Sequence, residues 1–148
     1  DTSKAVLLGI GIRASFGSTI VLEGMIGQQG VNSPWVQDPS LEVWDSVFGD
    51  YEGLDFNGKT AAFFGCGDQV GYPANFLDAI GMLAEPFTKN GGSLIGKCSR
   101  DPYNFTGSRA LDSDDKLMGL GLDYDNDDEE TCEDMMVMWL EDIIDDFK

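Results

Sequence analysis

The residues best suited to chemistry lie between Asp55 and Tyr72, in the run DFNGKTAAFFGCGDQVGY. An apolar stretch, Thr60 to Phe64, runs into Gly65-Cys66-Gly67-Asp68, and Tyr72 follows. Glycines at the end of a strand leave backbone amides uncovered at the carboxyl edge of a sheet, where open α/β folds bind ligands. Cys66 lies inside that turn, but no basic neighbour in sequence lowers its pKa, so a small buried thiol is expected rather than a nucleophile. Cys98 and Cys132 are distant from it, and three widely spaced cysteines make neither a disulfide framework nor a CxxC metal pair. Such usage fits a reducing compartment. Asp123, Asp125 and Asp127 open like a calcium loop, yet Asp128 and Asp134 hold the sixth and twelfth positions, where an EF-hand needs glycine and glutamate. The chain has no histidine, which removes histidine-based acid–base and nucleophilic catalysis. No paired-carboxylate site stands out, and the expectation is a protein that is not an enzyme.

These residues need elements to hold them. Lys4 to Ile12, KAVLLGIGI, reads as a buried strand. Arg13 to Thr19 is a turn of small residues, Ile20 to Gly30 fits a short helix only poorly because of Gly24 and Gly27, and Val31 to Pro39 is a loop around Trp35. Ser40 to Phe48 has the cap and the apolar spacing of a helix. A turn at Asp55 to Gly58 leads into a strand over Lys59 to Gly65. The spacing of Phe76, Ile80, Leu83 and Phe87 predicts a helix over Asn75 to Asn90, ended by Gly91-Gly92 and kinked or shortened by Pro86. Ser93 to Cys98 begins another strand, Ser99 to Lys116 is a polar excursion without periodicity, and Leu117 to Leu122 is apolar again. The last helix is expected from about Cys132 to Phe147, with Thr131 and Asp134 as a variant capping box. Its buried stripe should be Met136, Trp139 or Leu140, Ile143 and Phe147, with Glu141, Asp142, Asp145 and Asp146 in solvent.

Charge narrows the range of partners. Nine basic residues against 27 acidic ones give a net charge of -18, which argues against nucleic acid. A basic protein surface is the natural counterpart. From residue 123 onward twelve carboxylates face one lysine, a net of -11, so association with such a surface should weaken with salt. No apolar run reaches the roughly 18 residues of a membrane span. A length of 148 residues predicts one domain.

The segment GKTAAFFGCGDQVGYPANFLDAIG resembles the fourth strand, flavin loop and fourth helix of long-chain flavodoxins, and the resemblance extends over residues 35–148. It implies an α/β fold with a parallel sheet flanked by helices, and an excursion at 99–116 that splits the fifth strand. It implies a site for flavin mononucleotide (FMN) as well. Tyr72 would stack on the isoalloxazine ring, and backbone groups of Cys66, Gly67 and Asp68 would meet its pyrimidine edge. Trp35 would be the second stacking ring, and Asn75 and Asp125 fall on positions that line the family's site. Leu77 stands where a polar residue is usual. The anionic Asp68 would disfavour a second negative charge on the ring.

Before Trp35 the resemblance fails. The family's T-x-T-G-x-T phosphate loop, between its first strand and first helix, has no counterpart closer than Ala14-Ser15-Phe16-Gly17-Ser18-Thr19. Only 34 residues precede Trp35, room for about one βαβ unit. The expectation is therefore a shortened, rebuilt N-terminal part and a sheet edge covered by another protein. The family's partners, photosystem I and ferredoxin–NADP reductase, point to a subunit without cofactor that docks on an algal photosystem I, at the stromal face of the thylakoid in a chloroplast. The alternative is a soluble FMN-binding electron carrier, in the cytoplasm in the absence of a plastid, with a phosphate site rebuilt from Ser15, Ser18 and Thr19.

Overall fold

A computed structural model describes residues 5–10 and 49–147. The expected turn, helix and loop at 11–48, with Trp35, Trp44 and the Ser15–Thr19 hydroxyls, lie outside the described residues. The central strand, β2 (Thr60–Cys66), carries β1 (Ala5–Ile10) along one edge, parallel and in the register Ala5 with Thr60 through Ile10 with Gly65. Its other edge is shared by two short parallel strands. β3 (Ser93–Ile95) pairs with Thr60 to Ala62, and Leu120–Leu122 pairs with Phe64 to Cys66. The expected split strand is thus present: one strand's worth of pairing is supplied by two pieces, with residues 96–119 looped out between them.

The two faces of β2 are covered by different helices, which explains its continuous apolar run. Ala61 and Phe63 point to one face and pack with Ile80, Leu83, Ala84 and Phe87 of α1 (Asp78–Lys89). Ala62 points to the other and packs with Leu120, Leu122 and Cys132, Trp139 and Ile143 of α2 (Glu129–Ile143). This is the expected α/β arrangement of a parallel sheet flanked by helices.

The pairing of β1 gives it a place in the order that the resemblance implies. In the flavodoxin-like strand order 2-1-3-4-5, the fourth strand touches only the third and the fifth. β2 is the fourth strand and its split neighbour the fifth, so Ala5–Ile10 fills the third-strand place. The family's phosphate loop follows the first strand, upstream of the third in chain order. Residues 14–19, the nearest approach to that motif in the sequence, lie outside the described residues.

The excursion is built rather than loose. β4 (Cys98–Ser99) and β5 (Lys116–Leu117) form an antiparallel pair at its base, and Leu120–Leu122 follows as β6. Phe105 stacks on Phe76 with centroids 5.2 Å apart, and the Tyr103 hydroxyl donates to the Gly121 carbonyl at 2.7 Å. Arg109 donates its backbone N–H to the buried Asp78 carboxylate at 2.7 Å and pairs through its side chain with Glu85. The absence of periodicity in the sequence reflects this mode of anchoring, residue by residue rather than by one face.

Both helices start away from their expected positions. α1 begins at Asp78, three residues after Asn75, because Leu77 takes a left-handed backbone (φ 60°) and breaks the helical path. Pro86 lies within α1 without ending it. The end is a Schellman motif, in which Gly91 (φ 95°) donates to Thr88 and Gly92 donates to Phe87. α2 starts at Glu129, earlier than expected, and its N-cap is Asp128, which accepts the Thr131 N–H at 2.7 Å. Thr131 is therefore a donor inside the first turn, not the cap. The choice left between Trp139 and Leu140 falls to Trp139, whose indole donates to the Gly96 carbonyl at 2.8 Å, while Leu140 is exposed. Met136 packs only partly against that core, and the chain after Ile143 tightens into a 3-10 turn, Ile144–Phe147.

Candidate functional site

The carboxyl ends of β2 and β6 lie side by side, and the segment that leaves β2 forms a shallow recess. Cys66, Gly67, Asp68, Tyr72, Asn75, Leu77 and Asp78 line it, around a void of about 20 Å³. Gly67 lies over the ring of Phe76, where an added Cβ would sit 2.9 Å from two ring carbons. Only glycine lets the chain pass that close. Its N–H donates to the Leu122 carbonyl at 3.0 Å, which extends the β2–β6 ladder one residue into the loop.

Asp68 folds its side chain back over its own turn. Its Oδ1 accepts the Gly71 N–H at 2.7 Å, the Val70 N–H at 3.0 Å and the Asn126 side-chain amide at 2.9 Å. The Gly71 bond foremost, with those from Asn126 and Val70, holds the carboxyl below its ordinary range, so it is ionised at neutral pH. The Tyr72 N–H donates to the Asp68 carbonyl at 2.9 Å, which closes the turn and sets the half-buried tyrosine at the rim of the recess. Among the described residues the Asp68 backbone N–H meets no protein acceptor.

A second loop braces the first. Asp123, 1% exposed, accepts the Gln69 N–H through Oδ2 at 3.1 Å and the Asn126 backbone N–H through Oδ1 at 3.2 Å. The Asn126 side-chain amide lies 2.9 Å from each oxygen of Asp123, while also reaching Asp68. Gln69 is buried, and its side-chain carbonyl accepts the Asn104 N–H, which ties in the excursion.

The structure thus brings Cys66, Gly67, Asp68, Tyr72 and Asn75 together. Asn75 lines the recess, and one N–H of its amide donates to Asp78 at 3.1 Å. Asp125 is exposed on the 123–127 turn and is not among the lining residues. Trp35 lies outside the described residues. Cys66 is half-buried rather than buried. Among the described residues no group of carboxylates or cysteines is arranged to hold a metal ion. Sequence reasoning missed Gln69, Asp123 and Asn126. The spacing of Asp123 and Asn126, three residues apart, is that of an aspartate-led turn and was the one available signal.

Comparison with known proteins defines the class. The model of the family described as flavodoxin matches residues 30–136. A flavodoxin of Nostoc sp. is 43% identical over 97 residues, covering 66% of this chain and 56% of its own length. Flavodoxin 1 of Escherichia coli is 37% identical over 99 residues, covering 67% of this chain and 56% of its own. The structure of Fusobacterium nucleatum flavodoxin bound to flavin mononucleotide superposes with a TM-score of 0.69 at 20% identity, over 98% of this chain and 72% of that one. The chain belongs to the flavodoxin family. It spans a little over half the length of the curated relatives it matches, 56% for the first two described here. No helix among the described residues is long and apolar enough to cross a membrane.

Proposed function

We propose that this chain is an FMN-binding, low-potential electron carrier rather than an enzyme. The reading rests on one observation above others: the Gly65–Tyr72 loop at the open ends of two adjacent parallel strands, its acidic side chain engaged by its own turn and by Asn126, and its Asp68 N–H meeting no acceptor among the described residues. A donor of that kind suits the carbonyl-rich pyrimidine edge of a flavin. Gly67 keeps the backbone low enough for a flat ring to approach, and Tyr72 at the rim supplies a stacking face. The relatives' similarity supports the same reading, since the flavodoxin of Fusobacterium nucleatum is bound to flavin mononucleotide.

Bound FMN would supply one-electron redox chemistry. The chain's own residues would orient the ring and set the charge around it. The Asp68 carboxylate, ionised within the loop, would oppose the build-up of negative charge on the ring and so lower its potential. Asn75, with one N–H given to Asp78, would keep its second N–H and its carbonyl for the ring, whereas the exposed Asp125 is not among the lining residues. The acidic run over 123–146 would steer the protein to a basic redox partner, with photosystem I among the partners to test.

The flavin-free docking reading depended on a lost phosphate loop. The residues it turned on, 14–19, lie outside the described residues, while the relatives matched are flavodoxins, and the carrier reading is the better supported of the two. The decisive test is titration of FMN with the purified full chain. Quenching of flavin fluorescence to a one-to-one end point, with a blue-absorbing complex, is the expected result. Undiminished fluorescence at micromolar protein would overturn the proposal.

A further inference from the structure

The two loops at the recess hold each other reciprocally. The first gives the second a donor, the Gln69 N–H to Asp123. The second gives one back, the Asn126 side-chain amide to Asp68. Asn126 also donates to Asp123, so a single neutral amide stands between two carboxylates. Its two N–H groups match the two anions in number, and no cation is needed to keep them together. A lysine there would add flexibility and an ammonium that water competes for, and an aspartate would add a third negative charge. The backbone alone would join these loops only through the Gly67 N–H to Leu122 bond, one residue before Asp68.

We infer that Asn126 is a positioning residue for the flavin loop: by clasping Asp68 to Asp123 it holds residues 68–71 in the conformation that leaves the Asp68 N–H open to a ligand. This inference rests on the FMN reading for its consequence, but not for its geometry. Asn126 is exposed, so its replacement leaves the two cores untouched. Without its amide the Asp68 side chain keeps only its own turn's donors, Val70 and Gly71, and the first loop is held to the second by the Gln69 N–H to Asp123 bond and to β6 by the Gly67 N–H to Leu122 bond, with no tie on Asp68 itself.

The test compares Asn126→Ala and Asn126→Asp with the parent chain, first free of flavin and then with FMN added. In flavin-free protein, amide exchange of Val70 and Gly71 should accelerate about tenfold in Asn126→Ala, the scale of one bond to a charged acceptor, while the urea midpoint moves little. FMN should bind about tenfold more weakly. Asn126→Asp should be worse than Asn126→Ala at pH 7, where its carboxylate repels both neighbours. It should recover towards the parent at about pH 5, where the crowded carboxyl takes up a proton and donates it in place of the amide. That acid rescue is a signature that general loosening does not produce. Unchanged exchange at Val70 and Gly71 in Asn126→Ala, or no rescue of Asn126→Asp, overturns the inference. If the parent chain binds no FMN, the functional reading fails alone, and the clasp is judged on exchange.

Discussion

Replacing Gly67 with alanine tests whether the recess and the core are mechanically one body. The new methyl would lie 2.9 Å from both Cδ2 and Cε2 of Phe76, where carbon atoms ordinarily rest about 3.5–4.0 Å apart. Phe76 has nowhere to go. It is 1% exposed, with Phe105 stacked 5.2 Å away and Tyr103 at 5.4 Å. The loop must therefore lift, which strains the Gly67 N–H bond to Leu122, 3.0 Å long in the parent. Overpacking of this kind costs about 1–3 kcal/mol. With a urea m-value of about 2 kcal/mol/M, the midpoint should fall by about 0.5–1.5 M at unchanged m. Gly49→Ala is the control: nothing lies within 4 Å of the added Cβ, and the residue is helical, so it should stabilise by about 0.5–1 kcal/mol. A Gly67→Ala midpoint within about 0.2 M of the parent, on the m-value scale used above, would refute the argument that the aromatic cluster fixes the height of the loop.

Three further outcomes follow from other parts of the molecule. Trp139→Phe removes the donor to the Gly96 carbonyl and part of the packing on β6, and should cost about 1–3 kcal/mol in urea unfolding; a loss below about 0.5 would mean that the indole bond contributes nothing. Asp68, Asp112 and Asp128 all have carboxyl groups held below their ordinary range, by the Gly71 N–H, the Lys97 ammonium and the Thr131 N–H respectively. The folded state thus prefers them ionised. The stability they contribute is present above the unfolded value of 3.8 and lost as pH falls through their lower folded values. Relief of self-repulsion acts the other way down to the pI near 4.1, so the urea midpoint should fall only below about pH 4, and a midpoint that keeps rising at pH 3 would contradict the assignment. Burial, with Asp142 nearby, pushes the Cys98 thiol up to about 11, so at pH 8 it should alkylate roughly a hundredfold more slowly than a free cysteine; labelling at the free rate, read by peptide mass, would show the site to be open.

Much of this protein could be read from short stretches of chain. The run Thr60 to Gly65 is apolar on both faces, which specifies a buried strand. Gly91-Gly92 after a helical pattern specifies the helix end, and apolar residues return at Leu117, which the family resemblance identifies as the second half of a split strand. Each is set by backbone sterics or by burial of a local pattern. Three things were decided only in the folded state. Ala5–Ile10 fits a first or a third strand equally well by composition, and only its register with Thr60 to Gly65 chooses the third place. Trp139 and Leu140 are adjacent apolar residues on one helix, and the carbonyl of Gly96, 43 residues away in sequence, selects the tryptophan. Asp125 and Asn126 are neighbours in an acidic run, and only the approach of β6 to β2 brings the amide of Asn126, not the carboxylate of Asp125, against Asp68. Local sequence fixes which element forms because its energies depend on near neighbours. Which neighbour a strand, a ring or an amide finally meets depends on contacts between distant parts of the chain, and no short window of sequence contains them.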